Sequence, residues 1–322
     1  MKQRELGRSG IKVSRMALGT ATWGLTTHRD EAAGQLVEFV GAGGNLLDTS
    51  DVYGAGASEK VIGELLGTVV PRSSVVLATK AGGVPGGKPG DADTRRESLL
   101  SALDASLTRL GTDYVDLWQM HVWDDRTPIE ETLSAIETAV QSGRVRNAGI
   151  CNYSGWQTAL AARRRLGGGP SLMSTQVEYS LLERGIEREV LPAAAALGLS
   201  VLPWAPLGRG VLTAKYRSGV PLERAKSPFF RWYVGHHLDA PRTDEIVDAV
   251  ASAAAELGAA PVAIALAWVR DRPSVTAPVV GARTAEQLRD SLAAESLELP
   301  GEIRTRLDEV SAPYVGYPER LV

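Results

Sequence analysis

The sequence predicts a single parallel (β/α)8 barrel, and three observations carry that prediction. Short apolar runs of strand length end near residues 18, 47, 79, 120, 150, 177, 203 and 280, with helical patterns between them. Runs such as Val75-Val76-Leu77-Ala78 lack strict alternation, as strands covered on both faces do. The intervening segments are amphipathic: Leu99, Leu103, Leu107 and Leu110 recur at helical spacing, as do Ile129, Leu133, Ile136 and Val140, so each helix buries one stripe. Eight strand-helix units with short connections imply parallel crossovers and closure into a barrel. A chain of 322 residues suits one such domain, spanning 1–322.

Before the first unit stands a short hairpin-like start, Gln3 to Leu6 and Lys12 to Ser14 around the turn Gly7 to Gly10, with nothing helical in it. The regular spacing fails once, between the seventh and eighth strands, where about seventy residues replace about thirty. That gap reads as a loop, Leu207 to Ala240, followed by helix. The loop carries Phe229, Phe230, Trp232 and Tyr233, too many aromatics for a plain connection, and is expected to be a lid over the substrate. An inserted subdomain packing on itself is the competing expectation.

Composition narrows the classes. Apolar residues make up 44% and charged residues 23%, which excludes disordered and fibrous chains. A net charge of −3 and a pI near 5.9 give no footprint for nucleic acid or an anionic membrane, so neither is an expected partner. Arg163 to Arg165, the one basic cluster, precedes Gly167-Gly168-Gly169 and reads as a helix C-terminus. The apolar stretch 249–269 is interrupted by Glu256, Gly258 and Pro261, which predicts packed helices rather than a span. Cys151 is the lone cysteine, and the opening MKQRELGRSG has no apolar core of signal-peptide length; together they predict a cytoplasmic protein. His236-His237 has only Asp239 near it in sequence, so no metal site is expected.

Function is indicated by where the polar residues fall. Asp48 follows Leu46-Leu47, Lys80 follows Val75 to Thr79, and His121 follows Val115 to Met120, so each closes a strand. Parallel barrels build their sites at the carboxyl ends of the strands, and these groups therefore converge on one mouth. Asn152, Gln176 and Trp204 occupy the same stations after strands five, six and seven. Singly, each has a dull explanation as a turn, solvated or structural residue; the set is what points to chemistry.

The segment from Asn45 to Gly54, containing Asp48-Thr49-Ser50-Asp51-Val52-Tyr53-Gly54, resembles the D-T-A-x-x-Y-G segment of the aldo-keto reductase superfamily. Ala78-Thr79-Lys80, Asp116 to His121, Gly149-Ile150-Cys151-Asn152-Tyr153, Pro203 to Gly210 and Gly281 to Leu288 resemble that family's other motifs in order and spacing, from Leu18-Gly19-Thr20 to Ser291. The branch indicated includes potassium-channel β subunits and bacterial general aldo/keto reductases. No convincing G-x-G-x-x-G fingerprint is present, so a Rossmann mode of binding is not expected; the resemblance implies NADPH-dependent reduction of a carbonyl, with NADH the lesser cofactor. By resemblance Tyr53 is the acid, Lys80 lowers its pKa, Asp48 holds Lys80 charged, and His121 orients the carbonyl oxygen. Cys151, Asn152 and Gln176 would hold the nicotinamide amide, with Trp204 stacked on the ring. Gly19, Thr20, Asp48, Ala205, Pro206, Leu207, Gly210 and Lys215 would line the nicotinamide and pyrophosphate. Gly281, Arg283, Gln287, Asp290 and Ser291, with Arg224, would take the adenosine end, where a guanidinium suits a 2′-phosphate.

Two departures stand out. Cys151 replaces the usual serine, which makes cofactor binding an expected target of thiol reagents, and Ser291 replaces a common asparagine. The substrate pocket is expected to be walled by Trp23, Tyr53, His121, Trp123, Phe229, Phe230 and Trp232, with the Gly82 to Asp93 loop as a further border. Three classes remain open at this point: a reductase acting on a small-molecule aldehyde or ketone, a cofactor-sensing binding protein like the channel β subunits, and an isomerase or aldolase using Lys80 as a Schiff-base nucleophile.

Overall fold

A computed structural model describes residues 1–88, 90–163, 172–216 and 228–317, the side chains of 228–232 excepted. Strands β1 (Gln3–Glu5) and β2 (Lys12–Ser14) form an antiparallel hairpin, with Arg4 opposite Val13. Eight parallel strands follow: β3 (Ala17–Gly19), β4 (Leu46–Asp48), β5 (Val76–Ala81), β6 (Val115–Met120), β7 (Val145–Cys151), β8 (Ser174–Glu178), β9 (Ser200–Trp204) and β10 (Val279–Gly281). Each ends within two residues of the position read from the sequence. Their order, β10-β3-β4-β5-β6-β7-β8-β9, is that of a nearly closed barrel. The last seam is made just ahead of β10, where Thr276 N–H donates to Val201 O (2.8 Å) and Val201 N–H to Ser274 O (3.2 Å).

Helices α1 (Arg29–Gly41), α2 (Ala57–Leu65), α3 (Arg96–Leu110), α4 (Ile129–Gln141), α5 (Gly155–Arg163) and α6 (Val190–Leu197) cover the strands from outside. The stripe Leu99, Leu103, Leu107 and Leu110 is buried, and on α4 Ile129, Leu133 and Ile136 are buried with Val140 packed at the margin. Strand faces turned outward against these stripes make the main core. Of the basic cluster, Arg163 closes α5, while Arg164, Arg165 and the glycines after them lie outside the described residues.

Between β9 and β10 lie α7 (Pro228–Leu238), α8 (Thr243–Leu257) and α9 (Pro261–Arg270); α10 (Ala285–Leu292) and α11 (Gly301–Val310) follow the last strand. The aromatic segment read as loop is therefore helical over 228–238. Its run of bulky residues carried no clear helical stripe, and the helix forms against the segment after β9 rather than from its own pattern. The apolar stretch 249–269 is α8 plus α9, bent by 102° at Gly258 to Ala260, with Val250, Ile264 and Trp268 buried in a second core.

The two ends of the barrel differ. At the amino ends of the strands Leu6 and Val13 of the hairpin pack on Ala17, Leu46, Ala78, Leu117 and Leu202, which closes that mouth. Only the carboxyl ends are left for a site. The plug depends on Gly7, whose φ of +55° is in the left-handed region and where a Cβ would stand 2.5 Å from Met173 O. We predict that Gly7→Ala lowers stability by about 2–3 kcal/mol in urea titrations, whereas Gly10→Ala, also left-handed (φ +75°) but with nothing within 4 Å, costs about 1 kcal/mol.

Candidate active site

Past the end of β4 the backbone ladder continues over the rim. Thr49 N–H donates to Ala78 O (2.9 Å), Asp51 N–H to Lys80 O (3.3 Å) and Tyr53 N–H to Ser50 O (3.2 Å), which carries Tyr53 across β5. Lys80, fully buried on β5, donates from Nζ to Asp48 Oδ2 (2.7 Å), Thr49 O (2.8 Å) and Tyr53 Oη (3.2 Å). The other Asp48 oxygen accepts from Gln176 Nε2 on β8 (2.8 Å). His121, placed by its N–H on Ala81 O (2.8 Å), stands edge-on to Tyr53 with ring centroids 5.9 Å apart. Asp48, Tyr53, Lys80 and His121 thus meet at one rim, from three successive strand ends.

A cavity of about 580 Å³ opens from Asp48 and Tyr53 and runs to α10. Gly19, Thr20, Gln176, Trp204, Ala205, Pro206, Leu207, Gly210, Lys215, Gly281, Arg283, Gln287, Asp290 and Ser291 line it. Those residues lie far apart in sequence and at one end of the barrel in space.

A match to the family description Aldo/keto reductase family extends over residues 15–312. The chain belongs to the aldo/keto reductase family. It is 39% identical to the uncharacterized oxidoreductase YrpG of Bacillus subtilis, with 96% of each chain covered. It is 29% identical to versiconal hemiacetal acetate reductase of Aspergillus parasiticus, with 99% of each chain covered. It is also 32% identical to a probable voltage-gated potassium channel subunit beta of rice, over 99% of this chain and 98% of that one. As an aldo/keto reductase the chain is an NAD(P)H-dependent oxidoreductase that reduces carbonyl groups of small molecules.

The cavity fits a dinucleotide in its donor chemistry. Lys215 and Arg283 supply positive charge along it, and α10 begins at its far end with Thr284 capping the Gln287 N–H. A helix N-terminus next to a guanidinium is a ready anion site. Arg224 lies outside the described residues. Cys151 and Asn152 do not line the cavity. Asn152, at φ +58°, donates from Nδ2 to His121 O (3.0 Å) and accepts from Trp204 Nε1 (2.9 Å), so it fixes His121 and Trp204 in this aldo/keto reductase.

Burial sets the protonation states, and in one case against expectation. Tyr53 is not lowered by Lys80: its burial outweighs the nearby ammonium and pushes the phenol up to about 12. Lys80 itself is opposed by burial, but Asp48, Tyr53 and Cys151 outweigh it and hold the ammonium above its ordinary range. With its Nζ engaged by Asp48, Thr49 and Tyr53, Lys80 is not free for Schiff-base attack, and the family match likewise speaks against the aldolase alternative. Burial, with Lys80 adding to it, lowers His121 to about 3, so the imidazole is neutral at working pH.

Two expected pocket walls are placed elsewhere. Trp23 is fully buried in the main core and donates from Nε1 to Gln35 Oε1 (2.9 Å), so it presents no surface to a substrate. Trp123 donates to Asp125 Oδ1 (2.6 Å), packs edge-on against Tyr153 and Trp156, and does not line this cavity. The side chains of Phe229, Phe230 and Trp232 lie outside the described residues.

Arg209, which sequence reasoning did not single out as a site residue, lines the cavity together with Tyr233 of the expected lid. Arg209 grips Glu178 on β8 through Nε (2.9 Å) and Nη2 (2.7 Å) and sits over the Trp204 and Tyr233 rings at 5.3 Å and 4.4 Å. His237 Nε2 meets the same Glu178 at 3.0 Å. Glu178, His236 and His237 bring ligand atoms within 4.8 Å of one another, but both Glu178 oxygens are already engaged by Arg209. The cluster ties α7 to the barrel mouth.

Cys151 is 1% exposed and its burial pushes the thiol well above its ordinary pKa. A buried neutral thiol is a poor nucleophile. The expectation that thiol reagents block cofactor binding is therefore reversed: iodoacetamide should leave Cys151 unmodified in the native protein and label it fully in denaturant, as intact-mass measurement would show.

Proposed function

We propose that this chain uses NADPH to reduce an aldehyde or ketone to the alcohol, with Tyr53 as the proton donor. The observation that supports this best is the unbroken contact Asp48–Lys80–Tyr53, 2.7 Å and 3.2 Å, at the inner end of a cavity long enough to reach Arg283. When bound, the reduced nicotinamide supplies the hydride.

The protein's own part is to place and protonate the oxygen that becomes negative. At neutral pH Tyr53 is a phenol with its proton in place, since its pKa is about 12. That value still lies below the ordinary range of an alcohol, so proton transfer to a forming alkoxide runs downhill. Lys80, fixed on Asp48, stands 3.2 Å from the phenol oxygen and stabilises the phenolate that the transfer leaves behind. His121, neutral beside Tyr53, would donate a hydrogen bond to the same carbonyl oxygen and so fix its orientation. Trp204, positioned by Asn152, offers a ring face to the nicotinamide, and Gln176 and Asp48 border it. Arg283 at the start of α10 favours a phosphate on the ribose over a hydroxyl.

Tyr53→Phe should lower turnover by roughly 10² to 10⁴ fold, the usual share of a general acid, while NADPH still quenches tryptophan fluorescence. Loss of binding instead, or unaltered turnover on a panel of aldehydes and ketones, would remove Tyr53 from the mechanism. A wild type that binds NADPH and turns over none of the panel would support the cofactor-sensing alternative. Arg283→Ala should raise the KM for NADPH roughly tenfold or more and leave that for NADH nearly unchanged, because one charge-assisted hydrogen bond of about 1.5–3 kcal/mol is lost.

A further inference from the structure

His121 is neutral over the working range, so its ring carries one proton, and the partner of one nitrogen decides which form is present. That partner is Ser50: its Oγ lies 3.0 Å from His121 Nδ1 and 3.1 Å from Asp51 Oδ1, and it accepts weakly from Val52 N–H at 3.4 Å. Among the described residues the side-chain hydrogen bond found on the ring is this one, at Nδ1. The D-T-A-x-x-Y-G segment carries alanine where this chain has Ser50, so the link belongs to this chain's own sequence.

We infer that Asp51, acting through the Ser50 hydroxyl, decides which ring nitrogen of His121 carries the proton, and so whether His121 can donate to a substrate oxygen. Ser50 has a single proton to give. With Asp51 ionised, the hydroxyl donates to the carboxylate, and Ser50 Oγ then accepts from His121 Nδ1–H. Nε2 is left as a bare lone pair, which repels a carbonyl oxygen. With Asp51 protonated, the carboxyl donates to Ser50, Ser50 donates to Nδ1, and the imidazole proton sits on Nε2 as a donor. Ser50 and Asp51 are positioning residues: neither touches the reacting atoms.

The surroundings let Asp51 change state near neutrality. It is 3% exposed, and burial, followed by the negative charge of Glu59 on α2, pushes it up to about 7. Ser50, Arg109 on α3 and the Val52 N–H pull the other way. Glu59 is itself held by Arg109 and Thr79. The remaining charged neighbours are Lys80, whose backbone carbonyl accepts the Asp51 N–H, and Asp93, which shares a cavity of about 320 Å³ with Asp51 and is occupied by Arg95 and Ser98. That cavity is roomy enough for water to exchange the proton.

The sign follows directly. A carboxyl raised in this way is protonated below about 7, where His121 is a donor and reduction is favoured, and ionised above it, where the donor is lost. Carbonyl reduction should fall about tenfold in kcat/KM between about pH 6 and pH 8, as titration of one group with a midpoint of 7 requires.

The catalytic consequence rests on the proposed meeting of His121 with the carbonyl oxygen, so the deciding measurement is made without substrate. Nitrogen-15 spectra of the four histidines, with the His121 signals assigned through His121→Gln, distinguish the two ring forms. Wild type should pass from the Nε2–H to the Nδ1–H form between about pH 6 and pH 8. Asp51→Asn, which cannot titrate, should hold one ring form throughout, and Ser50→Ala should abolish the pH dependence. A wild-type ring form that does not change, or a change that persists in Asp51→Asn, overturns the relay. A ring form that switches while kcat/KM stays flat upholds the relay and sinks the role given to His121 in reduction.

Discussion

The buried ion pair between Asp48 and Lys80 is the contact around which the rest of the mouth is organised. Its side chains are 3% and 1% exposed, and two charges removed from water this completely are stable together only if their remaining hydrogen-bonding capacity is filled. Here it is filled from four directions: Thr49 O and Tyr53 Oη on the ammonium, Gln176 on the free carboxylate oxygen, and the pair itself. Removing one partner from such a pair typically costs about 3–5 kcal/mol, because the other is left buried and alone. The same requirement ties β4, β5 and β8 at their carboxyl ends, so the geometry of the candidate site and the integrity of the barrel depend on one set of bonds.

Around that charge the protein keeps its other ionisable groups neutral. Burial raises Tyr53, lowers His121 and raises Cys151, in each case toward the uncharged form. At the inner end of the cavity this leaves the Lys80 ammonium, paired with Asp48, as the fixed positive charge beside the Tyr53 phenol. Stabilisation of that kind is worth most where water is absent and dipoles need not reorganise. On the proposed reading, a phenol that is a poor acid at rest still serves as a donor, because the demand comes from the alkoxide and not from a lowered resting pKa.

What the sequence disclosed and what it withheld divide along a physical line. Strand ends and the polar residues on them were readable, because a parallel barrel converts position along the chain into position on the rim; Asp48, Lys80, His121 and Gln176 needed only that rule. Burial was not readable. Trp23 and a pocket-lining tryptophan look alike in sequence, and only packing against α1 and the bond to Gln35 separates them. The sign of the Tyr53 shift was missed for the same reason, since an adjacent ammonium can be inferred from a motif while the depth of the phenol cannot. Arg209 and Glu178 are 31 residues apart, and nothing periodic connects them; their contact exists because β8 and β9 are neighbours and Arg209 turns back at φ +56°.

That last cluster also shows how this fold attaches variable parts to a rigid frame. The aromatics of the α7 segment suggested a lid but not how it is fastened: Arg209 joins it to β8 by holding Glu178 on one side and the Tyr233 carbonyl on the other. Glu178 in turn meets His237 of α7. The carboxylate is held below its ordinary pKa: burial opposes this, and His237 and Arg209 outweigh the burial. A charge satisfied from both sides resists protonation and keeps its partners in place, so α7 is seated on the barrel by electrostatics through Tyr233 and His237.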